Sequence, residues 1–187
     1  PRSSINLLQS GYAILRPSKD DVDGQYLFLK YGPHGEVHGH PDKLNLLLYA
    51  CGQRLSPDLG TPGYGFDLLE SWYRQTICHN TVSIDGCSQP PAAGQLKAFR
   101  SDGPIQIADA SVAWKGQGYE GVAMRRALLA RSDYFLDIFW VQCGQIRQID
   151  WIYHNLGTHR TSLTPSIHPL VQMNGYRRDG YDNISGL

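Results

Sequence analysis

The densest group of side chains capable of chemistry lies in the segment YGPHGEVHGHPD, which begins at Tyr31. Its His34, His38, His40 and Asp42 place three of the seven histidines and one carboxylate within nine residues. Imidazole nitrogens and carboxylate oxygens are ligands that zinc-like divalent ions take in proteins, and a protonated imidazole also pairs with anions. The segment therefore predicts a site for a metal ion or for an acidic sugar.

Two more candidate ligands follow along the chain, Asp58 in SPDLG and His79 in CHNTV. Zinc takes about four ligands in a tetrahedron, and two histidines and one aspartate from three separate strands would supply three of them. On a strand, His38 and His40 would face the same side, and Gly39 would let another backbone or a ligand approach. The spacing alone leaves open that this segment is a solvated loop that binds nothing.

Two tyrosines lie between Asp58 and His79 in the sequence: Tyr64 in TPGYG and Tyr73 in SWYRQT. A phenol at either position could face the same cleft as the histidines. Most tyrosines only pack through their rings, so the spacing alone favours a packing role for both.

Eight runs of alternating or continuously apolar residues, bounded by Gly, Pro, Asp or Asn, must position these side chains. The runs are GYAILRP, QYLFLKYG, LNLLLYACG, NTVSIDG, IQIADASVAW, AMRRALLAR, YFLDIFWVQCG and DWIYHNLG. They are typical of antiparallel β-structure, and they predict an all-β fold, a two-sheet β-sandwich with little helix. Residues 41–48 could form a helix, but the β-rich continuation LLLYACG favours a buried strand.

Polar segments between the runs predict the turns. Residues 131–133 and 83–86 contain Asp, Ser and Gly, which favour tight connections. The CHNTVSI run is expected to be a strand that starts at its His and Asn. Arg125 and Arg126 alternate faces on one strand, so at most one of them can enter a groove.

The composition predicts one folded unit. With 187 residues, 41% of them hydrophobic, residues 1–187 can form a single β-sandwich domain. After about residue 158 the sequence is polar without a clean period, and we expect this tail to be weakly ordered or to belong to a neighbouring segment. The four cysteines form no CxxC pair, and they are expected to be buried small apolar residues or to include one disulfide.

The charge and hydropathy patterns exclude some partners. Lys+Arg and Asp+Glu both number 17 without a basic run, so no nucleic-acid partner is expected. No run of about 18 apolar residues is present, so no membrane partner is expected, and the first 15 residues lack a signal-peptide pattern.

Taken as strings, HGHPDKLNLLLYACGQRLSPDLGTPGYG and YRQTICHNTVSIDG resemble the signature of the heparinase II/III-like polysaccharide lyases. This family includes heparinase II, heparinase III and the oligoalginate lyases. The likeness runs from about Tyr31 to Gln89 and continues in DYFLDIFWVQCG and IDWIYHNLG. It implies the family's C-terminal antiparallel β-sandwich, without the N-terminal α/α toroid that precedes it in such enzymes.

The resemblance also implies roles for single residues. It places zinc on His40, Asp58 and His79, where the ion is expected to be structural. It makes His38 the residue that faces the substrate. Tyr64 is the best match to a tyrosine that reaches the cleft, and Tyr73 remains the alternative contact to the sugar.

The resemblance implies a bacterial enzyme that carries out β-elimination on a uronic-acid polysaccharide, in the periplasm or outside the cell. The site must neutralise the sugar carboxylate and stabilise the enolate-like anion that forms when the C5 proton leaves. A tyrosine, with a reference pKa of about 10, needs nearby positive groups to act as the base. Other catalytic groups of the family lie on the toroid, so the chain alone is predicted to be inactive. No Arg/Lys cluster suggests a sulfated substrate, which favours an unsulfated uronate.

Two rival functions remain. A metal-dependent cupin also uses HxH, but it needs a Glu three or four residues after the second His, where this chain has Lys43 and Leu44. A non-catalytic sugar-binding module would use exposed aromatic residues, with His38 buried or turned away.

Overall fold

The computed structural model describes residues 3–17, 24–158, 160, 162 and 179–184. These residues form strands at the following positions: β1 Ile5–Leu7, β2 Tyr12–Leu15, β3 Tyr26–Lys30, β4 Asn45–Ala50, β5 Gln53–Ser56, β6 Val82–Ile84, β7 Gln95–Arg100, β8 Gln106–Ala113, β9 Ala123–Ala130, β10 Phe135–Gln142 and β11 Ile149–Trp151.

The strands form two main sheets and one small one. Strands β1 to β5 form a five-stranded sheet in chain order, β10-β9-β8-β7 form a four-stranded sheet, and β11 pairs with β6. Every pair is antiparallel. The predicted all-β fold with two antiparallel sheets is confirmed.

The core lies between the two main sheets. On β3, Leu27 and Leu29 are fully buried, whereas the alternating Tyr26, Phe28 and Lys30 face outward. The core is completed by residues of both sheets: Ala13, Leu15, Leu46, Leu48, Ala108, Ala110, Met124 and Leu128. Since burial of one Leu-sized side chain contributes about 1.5–3 kcal/mol, this alternation fixes which face of each sheet points to solvent.

All eight predicted runs contain a strand, and three strands were missed. The missed strands are β1, β5 and β7, which are short, polar or at a sheet edge. The segment after residue 41 forms strand β4 and not a helix. Strand β6 begins at Val82, after the His and Asn that were expected to start it.

The predicted turns are present. The chain reverses at residues 131–133, so that Ala130 pairs with Phe135. Asp85 and Gly86 both have positive φ, and Cys87 N donates to Ile84 O at 3.0 Å, which closes the second turn.

Helical structure in the described residues is limited to short turns. These are 3₁₀ turns at Glu36–His38, Thr76–Cys78 and Tyr181–Asn183 and a π-helical turn at Leu69–Tyr73, next to one short turn at 67–68. None of the described helices is long or apolar enough to cross a membrane.

Most of the tail after residue 158 lies outside the described residues, so its predicted weak order stays a prediction. Within the tail, Tyr181 packs in a small cluster with Ile77 and Ile152. The four cysteines form no disulfide with one another; Cys78 is buried as expected, but Cys51 is exposed.

Candidate functional site

The predicted ligands come from loops at the ends of strands, and not from three strands. His40 and Asp42 precede β4, Asp58 follows β5, and His79 lies between a 3₁₀ turn and β6. Because β4 and β5 are neighbours in one sheet, the loops at that end of the sheet meet.

The structure brings Asp58 and His79 into direct contact, with Asp58 Oδ2 at 2.8 Å from His79 Nδ1. One ligand atom each of Asp42, Asp58 and His79 lie within 4.8 Å of one another, close enough to share a metal ion. The ring of His40 lies beside this group, with its centroid 5.3 Å from that of His79. Asp42 is thus a fourth candidate ligand, which the sequence placed in the segment but did not assign to the metal.

Two buried atoms in this cluster lack a hydrogen-bond partner among the described residues, namely His79 Nε2 and Asp42 Oδ1. Such atoms are rare in folded proteins and mark places where an ion or a water belongs. Burial, followed by the neighbouring His79, lowers the pKa of His40 below its ordinary value. His40 is therefore neutral near pH 7, which is the state that coordinates a metal. The donor set and its orphaned atoms fit a divalent ion.

Asp58 is held as a carboxylate by its neighbours. Burial alone would raise its pKa, but the hydrogen bond and charge of His79, the Gly60 amide and Asn45 together hold the pKa well below its usual range. Asn45 Nδ2 donates to Asp58 Oδ2 at 2.5 Å, and Gly60 N donates to Asp58 Oδ1 at 2.9 Å. The carboxylate is thus fixed in position as well as in charge.

Asn80 joins the loops that carry these residues. It is fully buried, its backbone N donates to Asn45 Oδ1 at 2.9 Å, and its side-chain Nδ2 donates to Leu46 O and Pro57 O. His154 N donates to Asn80 Oδ1 at 2.6 Å. The Asn80 side chain therefore ties β4, the loop before Asp58 and the segment after β11 to the residue that follows His79.

Arg126 supports the same loops from the opposite sheet. Its side chain is fully buried, and it pairs with Asp137 at 2.6 Å. The same guanidinium donates to the backbone carbonyls of Leu44, at 2.7 Å, and of Asn80. As predicted for alternating residues, Arg125 points the other way, with its guanidinium 5.2 Å from the Trp140 ring centroid.

His38 lies apart from the metal cluster and contacts Tyr64. It is exposed and lies at the end of the 3₁₀ turn Glu36–His38. The strand predicted here was wrong, because Gly35 and Glu36 have positive φ and turn the chain. Tyr64 Oη lies 2.5 Å from His38 Nδ1. The neighbouring Gly39 is needed for a close approach, since a Cβ there would lie 1.9 Å from His34 O.

Tyr73 is not joined to this pair. It is half-buried on the π-helical turn, and of the two candidate tyrosines in the described part of the chain it is Tyr64 that contacts His38. No local pattern in the sequence indicates the supporting residues Asn45 and Arg126, whose contacts are long-range. For Asn80, the HNT string offered a signal, since a polar residue beside a ligand often orients it.

Two packed antiparallel sheets, with a His and Asp cluster beside an exposed His–Tyr pair, define a β-sandwich of the kind found in polysaccharide lyases. The model of the family "Heparinase II/III-like, C-terminal" matches residues 1–163, and the chain belongs to this family.

The chain is similar to several lyases in sequence and structure. It is 35% identical over 150 residues to an alginate lyase of Stenotrophomonas maltophilia and 28% identical over 138 residues to a heparin-sulfate lyase of Bacteroides stercoris. These alignments cover 70% and 71% of this chain and 20% of each relative. The solved structure of a heparinase III, the BT4657 gene product, superposes with a TM-score of 0.72 at 25% identity, over 84% of this chain and 25% of that one. The chain thus spans about one fifth of the length of the curated relatives it matches.

Proposed function

We propose that this chain is the β-domain of a lyase that cleaves a uronic-acid polysaccharide by β-elimination. The observation that carries the proposal is the contact between Tyr64 Oη and His38 Nδ1 at 2.5 Å, in the loops that also hold the metal cluster. A sugar-binding module that relies on aromatic residues alone would not need this pair. His38 is exposed, which does not favour that alternative.

His40, Asp58 and His79 are the proposed zinc ligands, with Asp42 beside them as a fourth ligand through a carboxylate oxygen. When bound, the ion adds positive charge at the site and ties the loops together. Asn45 orients the ligand Asp58 through a direct hydrogen bond, and the Asn80 amide in turn holds Asn45 in place. We assign the ion a structural role, because His38 adjoins a ligand without belonging to the cluster.

The pair His38 and Tyr64 can perform the proton transfers of the reaction. When the His38 proton sits on Nε2, its Nδ1 accepts the proton of the Tyr64 hydroxyl. The resulting imidazolium neutralises the sugar carboxylate, while the phenolate removes the C5 proton. The electrons of that C–H bond form the C4–C5 double bond, the C4–O bond breaks, and the phenol returns its proton to the leaving oxygen.

Proposals for the substrate, the partner domain and the compartment accompany this chemistry. We propose an N-terminal α/α toroid that closes the other side of the cleft, an unsulfated uronate polymer as substrate, and action in the periplasm or outside the cell. In this arrangement the chain alone holds half a site and is inactive.

The test is product formation by the full-length protein that carries this chain. Its incubation with alginate, heparan sulfate and a second unsulfated uronate polymer should raise the ultraviolet absorbance of unsaturated uronate for at least one of them. The His38→Ala and Tyr64→Phe variants serve as matched controls and should form product far more slowly. Absence of unsaturated product with every polymer would refute the lyase assignment.

A further inference from the structure

A groove of about 860 Å³ crosses the outer face of the five-stranded sheet, on the side away from the core. We call this cavity the sheet groove. Its near end includes His38, His40 and Asp58, and so belongs to the site described above. Its far end, at the other end of the same strands, is lined by Arg16, Tyr26, Tyr49 and Arg54.

Strand register fixes the distance between the two ends. Lys30 pairs with Asn45 at the near end, and Tyr26 pairs with Tyr49 at the far end. Four residues along β3 at about 3.4 Å each separate them by about 14 Å. One sugar ring cannot bridge this distance, so the far end would contact a different sugar unit of a bound chain.

The charges at the near end are already matched. Lys30 Nζ lies 2.7 Å from Asp42 Oδ2, and Asp58 is bonded to His79. Lys30 is therefore not free to attract an anion, and the carboxylates of Asp42 and Asp58 would repel one. Any selectivity for a charged sugar beyond the His38 site must come from the far end.

Among the described residues that line it, the far end carries two arginines and no acidic residue. The Arg16 guanidinium lies 4.7 Å from the Tyr26 ring centroid, and its Nε is buried without a hydrogen-bond partner among the described residues. Arg54 is exposed, opposite Tyr49 in the strand pairing, and forms no ion pair with any other residue that the structure describes. The buried Arg16 Nε and the Arg54 guanidinium can both donate hydrogen bonds to an anion, and the tyrosine rings beside them can pack against a sugar ring. The far end therefore suits an anionic ring compound.

We propose that the far end of the sheet groove is an anionic subsite, where Arg16 and Arg54 bind the carboxylate or sulfate of a second sugar unit and Tyr26 and Tyr49 contact its ring. This inference rests on the proposed function, because that function supplies the polymer that would lie in the groove. Guanidinium forks bind planar oxyanions through two parallel hydrogen bonds, which a neutral sugar cannot replace. Selection by this subsite acts on binding and not on the elimination step.

The test measures binding and turnover separately. Calorimetry with the full-length protein, slowed by Tyr64→Phe so that the ligand is not cleaved, should show binding of an alginate tetrasaccharide that Arg54→Gln and Arg16→Gln each weaken about 10-fold, as expected for one lost charge-assisted hydrogen bond. In elimination assays the same variants should raise KM for the tetrasaccharide by a similar factor and leave kcat unchanged. Arg100→Gln is the matched control, since Arg100 is an exposed arginine of β7 on the other main sheet.

Three ligands distinguish the chemistry of the subsite. If Arg54→Gln weakens the binding of a heparan sulfate tetrasaccharide more than that of the alginate tetrasaccharide, the subsite binds sulfate. The reverse result would assign the subsite to carboxylate. Cellotetraose, which is neutral, should bind weakly and equally to all variants. Arg54-dependent binding without any unsaturated product would keep the subsite and refute the lyase. Product formation with binding unchanged in both Arg54→Gln and Arg16→Gln would refute the subsite alone.

Discussion

The metal cluster and the His38–Tyr64 pair lie in neighbouring loops but are held in opposite ways. His79 is fully buried, and Asp58 accepts hydrogen bonds from Asn45, Gly60 and His79. Tyr64, by contrast, is 74% exposed, and its hydroxyl contacts a histidine that is itself exposed. Replacement of a buried group with many hydrogen-bond partners lowers the free energy of unfolding, whereas an exposed group with few partners can change its partner when a substrate binds.

This difference assigns stability to one region and chemistry to the other. If it holds, substitutions behind the cluster should lower the free energy of unfolding. Substitutions of the exposed pair should lower turnover and leave the fold intact.

The largest expected effect is on stability, from the replacement of Arg126. Arg126→Met leaves the Asp137 carboxylate and the carbonyls of Leu44 and Asn80 buried without their donor. Loss of one partner of a buried ion pair costs about 3–5 kcal/mol, which denaturant unfolding would measure. Arg100→Met is the control and should change stability by less than about 1 kcal/mol, because both Arg100 and its partner Asp102 are exposed. Equal losses of unfolding free energy in the two variants would contradict the claim that the buried arginine supports the fold more than an exposed one does.

A smaller effect is expected from Lys43, a buried cation beside Asp42. Burial lowers its pKa from 10.5 to about 8. Between these values the unfolded chain binds a proton that the native chain has lost, so this residue makes stability rise with pH from about 8 to about 10.5, by up to about 3 kcal/mol. Below about pH 8 the full cost of the buried charge is present.

Lys43→Met should abolish that rise, which chemical denaturation at several pH values would show as a difference between the two proteins. The difference isolates Lys43 from the tyrosines, whose titration at high pH is common to both. Parallel pH profiles for the native chain and Lys43→Met would contradict the assignment.

The smallest expected effect on stability is at Tyr64. Tyr64→Phe removes one exposed hydroxyl and should change the free energy of unfolding by less than about 0.5 kcal/mol. Metal content, measured by elemental analysis, should not change. A loss of stability comparable to that of Arg126→Met would mean that the exposed pair also supports the fold.

The sequence predicted most of the strands, because alternation of Leu with Tyr, Phe and Lys on β3 is a local pattern that burial enforces. Strand β7 was missed because it is an edge strand whose residues are exposed or half-buried on both faces. Strand β5, with the sequence QRLS, has too few apolar residues to show a period.

Within the site, the residue types were predictable and their supports were not. The sequence placed His38 and Tyr64 at one cleft, and the structure brings them into contact. The contacts of Asn45 with Asp58 and of Arg126 with Leu44 O join residues 13 and 82 positions apart, and no local pattern encodes such pairs. The HGH spacing predicted a strand at His38, but it gives no sign that Gly35 and Glu36 adopt left-handed backbone conformations and turn the chain.

The most direct test of the division between the two regions compares His38→Ala with His40→Ala in the full-length protein, by zinc content and elimination rate together. We expect about one zinc per molecule in His38→Ala and a rate lowered on the order of 10²-fold or more, because a transition-state donor is lost without a ligand. His40→Ala should lose zinc and thermal stability first, and activity as a consequence, with Asp58→Ala and His79→Ala behaving alike. A His38→Ala protein that keeps near-normal activity, or that releases zinc as readily as His40→Ala, would contradict the account.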